Sequence, residues 1–124
     1  MKTLIAVCFF FILITSCSKP KDDPVLTGTW DLYQTFTSGN TYNWTVVMTQ
    51  NGNDLTGNVV ISDNSGYALL LSSSNISGNN VTIEWMLSTY KLSHQGIVNS
   101  TYDSMNGMFY SDGIKIGTWL ANKR

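Results

Sequence analysis

One histidine, and a single cysteine beyond the N-terminal apolar run, set the chemical limits of this 124-residue chain. His94 lies in "YKLSHQGIV", and an imidazole near neutral pH can orient a ligand or act as a general base. Base chemistry needs a partner, and neither a second histidine, a cysteine nor an inward carboxylate accompanies it. The expectation is a core histidine bonded to Gln34, a tyrosine or a serine. Glu84 falls on an outer face, and Asp54, Asp63, Asp103 and Asp112 fall in turns, where aspartate usually caps its own backbone. The paired carboxylates of glycoside hydrolysis are not visible. Asp63-Asn64-Ser65-Gly66 lacks the further acidic ligands of a calcium loop. The reading is therefore of a protein that is not an enzyme, with no catalytic residue, metal or cofactor.

The aromatic residues are the remaining asset. Trp30, Trp44, Trp85, Tyr90 and Phe109 are expected to point inward with His94, as candidate ligand-binding residues. Tyr33, Tyr110 and Trp119 are expected to point outward, as a candidate contact surface for a glycan or protein. These sets define two functions: holding a small apolar ligand inside, or acting as a non-catalytic interaction module through the outer aromatics.

Such faces require strands. From Gly28 onward the chain is rich in Thr, Val, Ile, Tyr and Trp, with Gly, Asn, Asp and Ser between short runs. The pattern predicts an all-β domain with strands at 28–37, 42–50, 53–62, 67–76, 80–87, 90–99, 104–111 and 114–122. An eight-stranded antiparallel up-and-down barrel is the simplest arrangement, closing the sheet edges of a monomer. A turn at Asn51-Gly52 pairs Met48 with Leu55, Val46 with Gly57 and Trp44 with Val59. A turn at Ser88-Thr89 pairs Trp85 with Leu92 and Ile83 with His94, and one at Asp112-Gly113 pairs Phe109 with Ile116 and Gly107 with Thr118. The last register sends Trp119 outward. "YALLLSSS" has leucines of both parities and yields no register, while inward Gly57, Gly96 and Gly107 are expected to leave room for a guest.

The N-terminus reads differently. Lys2, an apolar run from Leu4 to Ile14 and a polar break form a signal peptide over residues 1–16, too short for the ~20 residues of a membrane span. Ile14-Thr15-Ser16-Cys17 resembles the bacterial lipobox, which implies acylation of Cys17 with palmitate-type chains and a lipid anchor. Ser18 after it, rather than Asp, resembles the pattern that sends lipoproteins to the outer membrane. The alternative is a soluble secreted protein with a free thiol. Cys8 leaves with the leader, so an intrachain disulfide and any multi-cysteine metal site are excluded. Residues 17–24 form a charged, proline-containing tether, and 25–124 form the barrel domain. Lys21-Asp22-Asp23 is either a solvated linker or, by resemblance to the lysine–acid–acid export signal, a mark of cell-surface exposure. Loss of Lys2 takes the formal charge from −1 to about −2, with no basic stripe, so nucleic acid is not a partner.

Gly28-Thr29-Trp30 at the start of the first strand resembles the Gly-x-Trp signature of lipocalins and avidins, the calycin barrels. The resemblance implies a lipocalin-like barrel in which Trp30 plugs one end and a late basic residue, Lys123 or Arg124, packs over it. The Thr-Asp-x-Tyr motif of typical lipocalins is absent, and Leu32 stands where avidins carry a biotin-binding asparagine, so biotin is not implied. The chain is most similar in these respects to small lipocalin-like lipoproteins of bacteria.

Overall fold

The computed structural model describes residues 25–61 and 68–124. The expected signal peptide, Cys17, the expected tether and the Asp63-Asn64-Ser65-Gly66 stretch lie outside the described residues. Eight strands follow in order: β1 (Gly28–Phe36), β2 (Thr41–Asn51), β3 (Asp54–Ile61), β4 (Ala68–Ser77), β5 (Asn80–Leu87), β6 (Tyr90–Val98), β7 (Ser104–Ser111) and β8 (Ile114–Lys123). Each pairs antiparallel with the next, and β8 returns to pair with β1, closing an up-and-down barrel. The alternation that predicts strands also fills the interior. Val81, Ile83 and Trp85 of β5 are buried, as are Leu55 and Val59 of β3, while Thr82, Glu84, Thr56 and Asn58 between them face outward.

The turns decide the registers. The Ser88-Thr89 hairpin pairs Leu87 with Tyr90, Trp85 with Leu92 and Ile83 with His94, as expected. The β2–β3 turn instead uses Gly52 and Asn53, so Met48 pairs with Gly57, Val46 with Val59 and Trp44 with Ile61. Only Gly52 there takes a positive φ (62°), which is the pattern of a type II′ turn rather than I′. The expected register was two residues off. Because two is the pleat period, every side chain keeps its expected face.

At β7–β8 the opposite happens. The Asp112-Gly113 turn forms with both residues left-handed, φ 48° and 81°. Tyr110 pairs with Lys115, but Phe109 then pairs with Gly117, so Ile116 is an extra residue in β8. Beyond this bulge each side chain changes face. Trp119, expected outside, is 3% exposed, and Ala121 joins the core while Leu120 turns outward. The indole lies where Gly96 and Gly107 pair across β6 and β7. A Cβ on Gly96 would come within 2.8 Å of Trp119 Cζ2 and 2.0 Å of the Asn106 carbonyl. The expected room at these glycines is thus taken by Trp119, whose Nε1 donates to the Met108 and Gln95 carbonyls at 3.1 and 3.3 Å.

A second bulge resolves the leucine run of β4. Ser72 pairs with Glu84 but Asn75 pairs with Thr82, and Ser73 between them has φ 45°. Leu69 and Leu71 pack on the core before it, and Ser74 and Ile76 after it, leaving Leu70 75% exposed. Ser74 Oγ accepts from the Glu84 amide at 2.9 Å, replacing ladder bonding that the bulge interrupts.

Candidate functional site

The strands run between two unlike ends. At one end Leu26 is buried and its carbonyl accepts from Trp30 Nε1 at 3.0 Å. Its amide donates to Gln50 Oε1 at 2.8 Å, and the Gln50 amide donates to Thr27 Oγ1 at 2.9 Å. Lys123 lies over the Trp30 ring, with Nζ 5.9 Å from its centroid and donating to the Val25 carbonyl at 3.3 Å. Gly28 is favoured here by its φ of 146°, which L side chains rarely adopt; a Cβ would also press on the movable end of Lys123. Arg124 instead binds the outer carboxylate of Asp31 through Nε and Nη2 at 3.0 and 2.8 Å. Trp30 therefore plugs a closed end, as the resemblance implies, and it does not line the cavity at the other end.

The other end is open. A cavity of about 260 Å³ is lined by carbon from Phe36, Trp44, Leu92, Phe109 and Ile116, with Leu87, Tyr90 and Ser111 at its edge and Gln34 among them. Aromatic contacts shape its wall. Phe36 meets Phe109 edge to face at 4.9 Å and Tyr42 at 5.2 Å, and Trp44 leans on Trp85 at 5.5 Å. Of the expected inward set, Trp44, Tyr90 and Phe109 line this space, while Trp85 is buried in the core outside the lining. Tyr90 corrects the expectation in one respect: at 56% exposure it sits on the rim, not inside, because it is the first residue after the Ser88-Thr89 turn.

His94 is fully buried and stacks between Trp85 and Phe109, centroids 4.4 and 5.0 Å away. Trp119 meets it edge-on at 5.5 Å. Burial pushes its pKa down from 6.5 to about 3, so the ring is neutral at pH 7. A neutral imidazole carries one N–H. Nε2 lies 3.0 Å from Gln34 Oε1, an acceptor, which places that proton on Nε2. Gln34 is one of the partners the sequence offered for a satisfied core histidine, beside a tyrosine or a serine. The satisfaction is incomplete: among the described residues Gln34 Nε2, His94 Nδ1 and Trp85 Nε1 are buried without a partner. Orphaned polar groups of this kind cost ~1–3 kcal/mol each.

The outer aromatic set does not assemble. Tyr33 is outward and exposed and Tyr110 is half-buried, but Trp119 between their strands is in the core. Leu120 faces out beside Tyr33 in its place. No group of three or more His, Cys, Asp or Glu side chains among the described residues is arranged to hold a metal. Sequence reasoning missed Phe36, Leu87, Leu92, Ser111 and Ile116 as cavity residues. A signal was present: each lies within a few residues of a turn at the open end, where inward side chains border a mouth instead of a packed layer.

No protein-family model matches the chain, and no curated protein matches it. Solved structures similar to it include a redesigned β-barrel, 13% identical with a TM-score of 0.66 over 80% of this chain and 91% of that one. A de novo designed fluorescence-activating β-barrel is 19% identical, with a TM-score of 0.61 over 79% and 93%. A redesigned β-barrel bound to DFHBI is 17% identical, with a TM-score of 0.58 over 79% and 94%. At these identities the likeness is one of fold.

Proposed function

We propose that the protein is a non-catalytic binding barrel that holds one small, largely apolar molecule in its open end. The observation that carries this reading is the cavity of about 260 Å³ with aromatic and aliphatic walls. An eight-stranded barrel is just wide enough to fill itself with side chains or to hold one small ligand. Here Trp30 and Trp119 fill the closed end and the middle, and no described side chain fills the space above Gln34. An apolar cavity of about 150 Å³ accepts benzene, so this one suits a guest of one or two rings. That one similar designed barrel is fluorescence-activating, and another is bound to DFHBI, supports the reading by analogy of architecture. The outer-aromatic module is less favoured, because burial of Trp119 removes its middle member.

The barrel also belongs, in this proposal, to a lipoprotein tethered through Cys17 to the outer membrane, on the strength of the lipobox-like Ile14–Cys17 and the leader before it. Binding is tested by calorimetric titration with 2-acetylnaphthalene and by native mass spectrometry of protein purified from cells. Wild type should take up one equivalent, and Ser111→Phe, which fills the mouth, should abolish uptake without loss of stability. Absence of both heat and bound mass in wild type removes the binding function. Labelled fatty acid incorporated by wild type but not by Cys17→Ala supports the anchor, and equal absence from both refutes it.

A further inference from the structure

The cavity has one fully buried polar side chain in a carbon lining. Gln34 is 0% exposed, and its carbonyl oxygen already accepts from His94 Nε2 at 3.0 Å. Its amide nitrogen, with two hydrogens, meets no acceptor among the described residues. The orientation is held from behind, since His94 is itself clamped between Trp85 and Phe109. With the proton on Nε2, turning the amide over would set its NH₂ against the His94 N–H, donor against donor. Moving the proton to Nδ1 would bury that N–H with no acceptor among the described residues. His94 is thus a positioning residue, and Gln34 presents a fixed donor to whatever enters.

Resting on the binding role just proposed, we propose that Gln34 determines the specificity of the cavity, selecting neutral one- or two-ring molecules whose leading end is a hydrogen-bond acceptor such as a ketone or amide carbonyl. The acceptor follows from the unmet donor: an entering carbonyl relieves a buried group that a hydrocarbon leaves orphaned. Neutrality follows from the walls. Among the described residues no Lys, Arg, Asp or Glu lines the space, and His94 behind Gln34 is uncharged at pH 7. A carboxylate would be desolvated there with no counter-charge. The ring body follows from Phe36, Trp44 and Phe109, which offer aromatic faces and edges to a flat guest.

Three probes of one shape separate these requirements: 2-acetylnaphthalene, its carbon isostere 2-isopropenylnaphthalene, and 2-naphthoate. Gln34→Leu removes the donor at nearly constant volume. The ratio of ketone to alkene affinity should fall about tenfold from wild type to Gln34→Leu, and 2-naphthoate should not bind wild type at pH 7. Isotope-edited infrared spectra should show the bound ketone carbonyl stretch below its value in hexane for wild type, and near it for Gln34→Leu. An unchanged ratio, a carbonyl at its hexane position in wild type, or tight binding of 2-naphthoate overturns the role of Gln34 while leaving the cavity a binding site. If no probe binds wild type, it is the binding function itself that fails. If Gln34→Leu does not fold, the wild-type carbonyl frequency and the carboxylate result decide the matter alone.

Discussion

The two ends of this barrel are built from the same strands and carry opposite accounts of polar satisfaction. At the closed end the Trp30 indole N–H, the Leu26 amide and carbonyl, and the Gln50 side chain all have partners, and Lys123 seals the ring from outside. Toward the open end Gln34, His94 and Trp85 each keep a buried polar atom unmet beneath a carbon-walled cavity. A fold maximised for stability would treat both ends alike. The difference teaches that the closed end supplies the stability against which the open end can hold a cavity and orphaned groups, the cost expected of a site kept ready for a guest.

Three measurements break or sharpen this contrast. The largest effect belongs to the closed end. Trp30→Ala removes a fully buried indole and should cost about 3–5 kcal/mol in urea unfolding, with guest affinity per folded molecule little changed. A loss below about 1 kcal/mol would mean that the plug does not close the barrel.

The next concerns acid. The groups against the His94 ring are Trp85, Phe109, Trp119 and Gln34, none of them charged. Its pKa is near 6.5 when unfolded and lowered to about 3 when folded, so below pH 6.5 the unfolded chain binds a proton that the folded one refuses. Stability is therefore full above pH 6.5 and falls by about 1.4 kcal/mol per pH unit down to about pH 3. In His94→Phe this slope should vanish, and any acid sensitivity that persists must come from carboxylates such as Asp103, whose pKa is lowered by hydrogen bonds from Asn99 and Thr101. The smallest stability effect is at the rim: Tyr90→Ser should shift unfolding by no more than about 0.5 kcal/mol yet weaken 2-acetylnaphthalene several-fold. Equal losses in stability and binding would show that the rim is part of the core.

What could be read in advance followed from local chemistry. Strand bounds agree to within one residue wherever they are described, because turn residues and alternation are both local signals. The Asn51-Gly52 register slipped by two and still gave correct faces for Val46, Met48, Leu55 and Val59. Trp119 failed because one extra residue, Ile116, reverses the faces beyond it, and nothing in "GIKIGTWLA" marks which residue the ladder will skip. The leucine run was ambiguous because Leu70 faces outward between Leu69 and Leu71, and the bulge at Ser73 then moves the inward parity to Ser74 and Ile76. The histidine's partner was legible, since Gln34 shares the inward parity of Trp30 and Leu32. That its NH₂ would be left bare was not, because it depends on how two distant strands place their side chains in depth.

Both ends of the described chain meet at one pole. Lys123 Nζ reaches the Val25 carbonyl, and the Arg124 amide bonds the Thr29 carbonyl. Val25 therefore sits on the sealed side, at the end of the barrel opposite the cavity. In the proposed lipoprotein, the eight residue steps from Cys17 to Val25 would span at most about 30 Å and join the barrel at its plugged base. An anchor attached there would leave the mouth unobstructed, free to take a guest from the aqueous side.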